Sequence, residues 1–122
     1  MTTVFILLIL FQIKHWICDF PLQNKYMLGK FKESGWVTPL LAHVGVHGAG
    51  TYIITVMFVS PLTAIGLALL DISIHFMMDR VKASPNMLGR FKPDNKYFWW
   101  SLGIDQGVHH LTHYAIIAFV IL

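Results

Sequence analysis

Long apolar runs, broken by short polar stretches rich in lysine, organise this chain. Four runs approach the roughly 20 residues a helix needs to cross the hydrocarbon of a bilayer. They cover residues 3–18, 36–59, 62–79 and 102–122 and predict four helices. Ser60-Pro61 predicts a tight turn, with proline in the first turn of the third helix. The polar residues inside the runs are not scattered. They read His15-x3-Asp19, His43-x3-His47, Asp71-x3-His75-x3-Asp79 and Asp105-x3-His109-x3-His113. Four-residue spacing stacks side chains on one helix face, one turn above the other. Six of the seven histidines and four of the six acidic residues fall into this register.

Composition turns this pattern into a membrane reading. Of 122 residues, 56% are hydrophobic and only 12% charged, about half the charged share of an ordinary soluble domain. One domain, residues 1–122, is expected. The fold class is all-α, a four-helix transmembrane bundle. Segments 19–35 and 80–101 both lie on one side of it and hold Lys25, Lys30, Lys32, Arg80, Lys82, Arg90, Lys92 and Lys96, and Lys14 sits close to that side. The positive-inside rule puts these two basic loops in the cytoplasm and both termini on the opposite side. Trp16, Trp36, Trp99 and Trp100 fall near the same interface, as an aromatic belt does. An integral membrane location follows. Met1-Thr2-Thr3 lacks the positive start of a secretory signal, so the first run reads as a retained anchor. The net charge of +3 comes from residues flanking apolar helices, which fits lipid head groups or phosphate and predicts no nucleic-acid partner. Cys18 excludes an internal disulfide and a cysteine-rich zinc site, and reads as a packing residue.

Given that topology, every His/Asp cluster lands in the cytoplasmic half of the bilayer, although the histidines played no part in assigning it. Three readings account for them. The first is a metal site, since imidazole and carboxylate suit Zn, Mn or Fe. Its ligands would be His43, His47, His75, Asp79, Asp105 and His109, holding one or two ions. His15, Gln23, Asp71, Gln106 and His113 would support them from behind. The second is a metal-ion or proton carrier, because intramembrane Asp and His also mark ion pathways. The apolar outer halves of the helices, such as Val4–Phe11 and Leu62–Leu70, argue against a through route. The third is a structural or partner-binding network of Asp–His pairs. No Glu-x-x-His motif of the ferritin-like bundles occurs. His110 is out of register.

The run Asp19-Phe-Pro-Leu-Gln23, then His43-x3-His47, then His75-Phe-x2-Asp79-x2-Lys82, then Asp105-Gln106-x2-His109 resembles the membrane family called domain of unknown function DUF3307, found in bacteria and tailed phages. Lys25 also falls among the matching positions. The resemblance spans nearly the whole chain and implies an integral membrane protein with a shared polar site. It implies no reaction. From the residues themselves the expectation is a metal-dependent hydrolase, acting on a phosphoester of a lipid or lipid-linked substrate at the cytoplasmic face. Asp19 would serve as general base or bridging ligand, and Lys25 and Lys82 would hold the phosphate. Lys30, Lys32, Arg90 and Lys92 read as contacts to lipid heads. Gly45, Gly48 and Gly50 read as close-packing positions. A homodimer is compatible with the small size.

Overall fold

In the computed structural model, which describes residues 1–122, the chain is all-helical. Helices α1 (Thr2–Asp19), α2 (Val37–Thr55), α3 (Pro61–Ala83) and α4 (Lys96–Ile121) carry it, with short 3-10 turns at Met27–Phe31 and Leu88–Arg90. Each helix packs on the next, and α4 closes back on α1. The α2–α3 seam is the closest. A Cβ at Gly48 would run into the Ile72 side chain, so glycine lets Ile72 pack directly on the α2 backbone.

Local chemistry explains where the helix ends depart from the expected ones. The second helix stops at Thr55 rather than 59: the chain turns over Val56–Phe58 and meets Ser60, whose backbone is extended ahead of Pro61. The Ser60 hydroxyl oxygen accepts from Thr63 N and caps α3. The third helix runs past Asp79 to Ala83, because arginine, valine and lysine do not break a helix. It ends where Ser84 is held extended before Pro85. The fourth begins at Lys96 rather than 102, capped by the Asn95 side chain, which accepts from Tyr97 N at 2.9 Å.

The bundle has an inverted polarity. Half of its 32 buried residues are polar or charged. Meanwhile Ile6, Ile9, Ile13 and Trp16 make an exposed stripe on α1, and Leu62, Ile65 and Leu69 do the same on α3. Both α1 and the helix starting at Pro61 are long and apolar enough to cross a membrane. Apolar surface on this scale is what a lipid or protein partner covers. Inside, the two ends differ. Leu7, Phe11, Ile54, Leu67, Ile116 and Ile117 form an apolar core at the end holding both termini. The other end is filled by histidine, aspartate and lysine.

The link from α3 to α4 depends on one glycine. A Cβ at Gly89 would lie 2.5 Å from the carbonyl oxygen of Ala83 and 2.6 Å from that of Ser84. Neither is a mobile side chain. Gly89→Ala is therefore expected to push the Leu88–Arg90 turn off the end of α3 and cost about 1–3 kcal/mol. A lowered unfolding midpoint in detergent checks this; an unchanged midpoint contradicts it.

Candidate metal centre

All four polar helix faces converge. From α1 come His15 and Asp19, from α2 His43 and His47, from α3 Asp71, His75 and Asp79, and from α4 Asp105, His109 and His113. His75 sits at the middle. Its ring lies 3.9 Å from that of His47 and 3.8 Å from that of His109, centre to centre, the latter pair stacked. Two groups of donor atoms meet there: Asp19, His43, His47 and His75, and then His75, Asp79 and His109. In each group the donor atoms lie within 4.8 Å of one another.

Asp19 is the hub of the first group. Its carboxylate lies 2.9 Å from His47 Nε2, 3.0 Å from His15 Nε2 and 3.5 Å from His43 Nε2. Asp79 is the hub of the second, 3.2 Å from His43 Nε2, 3.2 Å from His109 Nε2 and 3.7 Å from His75 Nε2. His43 thus touches both carboxylates, yet its Nε2 hydrogen-bonds to neither. His75 is fully buried, and neither of its ring nitrogens has a hydrogen-bond partner. Unpartnered buried nitrogens are costly and rare in a folded protein.

Lysines balance most of the acid. Lys14 Nζ donates to Asp71 Oδ2 at 2.7 Å, Lys30 Nζ to Asp79 Oδ2 at 2.8 Å and Lys82 Nζ to Asp105 Oδ2 at 2.7 Å. Asp19 alone among the four aspartates has no lysine partner; only imidazoles face it. Two of these lysines correct the sequence-based expectation. Lys30 is buried against Asp79 rather than lying among lipid heads, because the Met27–Phe31 turn folds under α3. Arg80 fastens that turn: its guanidinium donates to the carbonyls of Lys30 and Lys32 and stacks on Trp36 at 3.9 Å. Lys14, expected only near the basic side, crosses into the bundle beside Gly50, where a Cβ would lie 2.8 Å from its stem. It meets Asp71, whose same oxygen accepts from the Thr51 hydroxyl, and it approaches His113 at 3.4 Å.

The remaining expected site residues take distinct positions. Asp105 stands behind His109, 3.0 Å from its Nε2 and tied to Lys82, outside both donor groups. The Gln106 amide donates to Asp105 at 3.1 Å, and its oxygen lies 3.1 Å from His15 Nε2, so it bridges the two. Asp71 is 3.9 Å from His75 Nδ1. His113 is buried against Phe11 near the apolar core. Lys25 is not brought to the cluster: it is exposed and lines a separate surface pocket with Tyr26, Lys32 and Thr38. Cys18 is buried, its thiol 3.8 Å from the carbonyl of Val46, as a packing residue would be. No local spacing marked Lys30 or Lys14; only the fold reveals them.

A cavity of about 210 Å³ opens onto this end of the bundle. Asp19, Gln23, Lys30, Asp79, Lys82 and Asp105 are among its walls. The cluster is therefore reachable from the loop end and closed at the other by the apolar core. That arrangement can hold a cation, polarise an anionic ligand beside Lys82, or store protons.

Compared with known proteins, the chain is matched over residues 6–122 by the family described as Protein of unknown function (DUF3307). No curated protein and no solved structure matches it significantly.

Proposed function

The chain belongs to the DUF3307 family, whose description assigns no reaction, and we propose from the site itself that it is a membrane-embedded, metal-dependent hydrolase of phosphoesters. The observation that carries this is His75: a fully buried imidazole with both nitrogens unpartnered, set between two groups of His and Asp donors. Asp19, with no lysine to neutralise it, supplies the charge a divalent ion would meet first.

In this reading all four helices cross the membrane, with the basic loops and the cavity mouth at the cytoplasmic face. The exposed apolar stripes and the polar interior support it, since intramembrane charges face inward and pair. Asp19, His43, His47 and His75 would hold one ion, and His75, Asp79 and His109 a second if two bind. Nitrogen and oxygen donors of this kind fit Zn, Mn or Fe. A bound ion supplies Lewis acidity and activates water near neutral pH. The chain's own residues do the rest. Asp19, partly open to the cavity, accepts the proton of the attacking water as the P–O bond to the leaving alcohol breaks, and that proton passes to the alcohol oxygen. Lys82, on the wall of the same cavity, holds the phosphate oxygens, and Asp105 fixes the lysine head at 2.7 Å. Gln106 and His15 keep Asp19 oriented, as outer partners do around ligands. The apolar outer core keeps water from crossing.

A carrier of ions or protons is the second reading. The deeper chain of Asp71, Lys14 and His113 favours it, since it extends the polar network beyond the donor groups. It ends at Phe11 and the apolar core, which favours a blind site.

Removal of metal separates the two. Purified protein in lipid nanodiscs is expected to hydrolyse p-nitrophenyl phosphate, to stop after dialysis against a chelator, and to resume on addition of Zn, Mn or Fe. Turnover that survives chelation, or none under any metal, would contradict the hydrolase reading. Proton or metal flux into sealed liposomes holding the protein, without turnover, would establish the carrier instead.

A further inference from the structure

Beside the polar cavity lies a second and larger one, about 400 Å³, between the α3–α4 loop and the start of α4. Its size is that of a small-molecule site. Leu88, Phe91, Pro93 and Phe98 give it apolar walls. Phe31, Lys82 and Leu102 line both cavities, so the two adjoin. Lys82 thus stands at a boundary. On one side are Asp19, Asp79 and Asp105; on the other are aromatic and aliphatic side chains.

We infer that the apolar cavity seats the hydrocarbon chain of the substrate, and that the substrate class is a phosphate ester carrying a long alkyl or acyl chain. This rests on the hydrolase reading above and adds the second half of its site. A phosphate at the Lys82 ammonium faces the His/Asp cluster, and whatever is esterified to it leaves along the lysine toward Phe98 and Leu88. An aqueous sugar or nucleoside would find no hydrogen-bond partners on those walls beyond Ser101 and Lys92, whereas a hydrocarbon chain needs none. The charges agree: Lys82 and Lys92 are the cavity's two ionisable groups, and both are cations. The ligand is therefore an anion with an apolar tail.

The test maps where the tail lies. The full chain is placed in phosphatidylcholine nanodiscs doped with an alkyl phosphate carrying a diazirine in mid-chain. It is then irradiated and analysed by peptide mass spectrometry. Crosslinks are expected to concentrate in residues 84–102 and to be lost under excess dodecyl phosphate, but to persist under excess dodecyltrimethylammonium. Phe98→Trp, which fills the apolar cavity, is expected to lose the same crosslinks. Crosslinks spread along the exposed stripes of α1 and α3, insensitive to dodecyl phosphate, would overturn the proposal. Should Phe98→Trp fail to fold, competition on the unaltered chain decides. The map does not depend on bound metal. Crosslinks at 84–102 in a protein without hydrolase activity would uphold the chain seat and sink the hydrolase. Chelator-sensitive hydrolysis of p-nitrophenyl phosphate with no crosslinks at 84–102 would do the reverse.

Discussion

Asp19→Asn is expected to lower phosphoester hydrolysis by roughly 10³-fold, equivalent to about 4 kcal/mol of barrier, while leaving the bundle folded. Asp19 is the cluster's one aspartate without a lysine, and three imidazoles converge on it at 2.9–3.5 Å. Asparagine keeps the shape and a hydrogen-bonding oxygen, so His47 keeps its partner. It removes the negative charge that would draw a cation and accept a proton. The measurement is steady-state turnover of p-nitrophenyl phosphate, with the unfolding midpoint taken on the same sample. Full activity would remove Asp19 from the mechanism. Lost activity with a collapsed midpoint would make it a structural residue.

The largest effect on stability is expected elsewhere, at Lys14→Met. Lys14 and Asp71 form an ion pair in which both side chains are at least 96% buried, since they are only 4% and 2% exposed. Removing one partner of a buried pair leaves an uncompensated charge and costs about 3–5 kcal/mol. Replacing both costs far less, because the charge and its desolvation vanish together. The pair Lys14→Met, Asp71→Leu is therefore expected to recover much of the loss. Thr51, which also donates to Asp71, limits the recovery by losing its acceptor. Unfolding midpoints of the two single variants and the double variant form the cycle that checks this. Additive losses would show that the two residues do not act as a pair.

Much of this architecture was legible in the sequence, and the reasons are local. The i, i+4 rule placed Asp71, His75 and Asp79 on one face, and the structure puts all three in the interior. Four such faces, on helices whose outer surfaces are apolar, are hidden by meeting one another. The helix ends were less legible. The apolar run alone puts the start of the fourth helix at 102, but Trp99 and Trp100 before it extend the helix, as aromatic residues do as readily as they flank one. The acids and bases at 79–82 suggested an exit from the hydrocarbon, and they too continued the helix.

The lysines were the least legible. Lys25, Lys30 and Lys32 occur in one loop with nothing in their spacing to separate them. The fold buries Lys30 on Asp79 and leaves Lys25 exposed, and that choice is made by a turn held through Arg80 and Trp36, some 50 residues away in sequence for Arg80. Lys14 is one position off the His15–Asp19 face, but its long stem carries the ammonium around past Gly50. Residue spacing reports directions along one helix. It does not report which long side chain will reach across to the next.

Whether the His/Asp cluster binds a transition metal is read directly by elemental analysis of the detergent-purified protein. The comparison is the protein carrying His43→Ala and His75→Ala together, which removes two donors from the first group and one from the second. Near-stoichiometric Zn, Mn or Fe is expected in the unaltered protein, and loss of that metal in the double variant. Metal-free protein in both cases, even after incubation with each ion, would contradict it and leave the cluster as a hydrogen-bonded network.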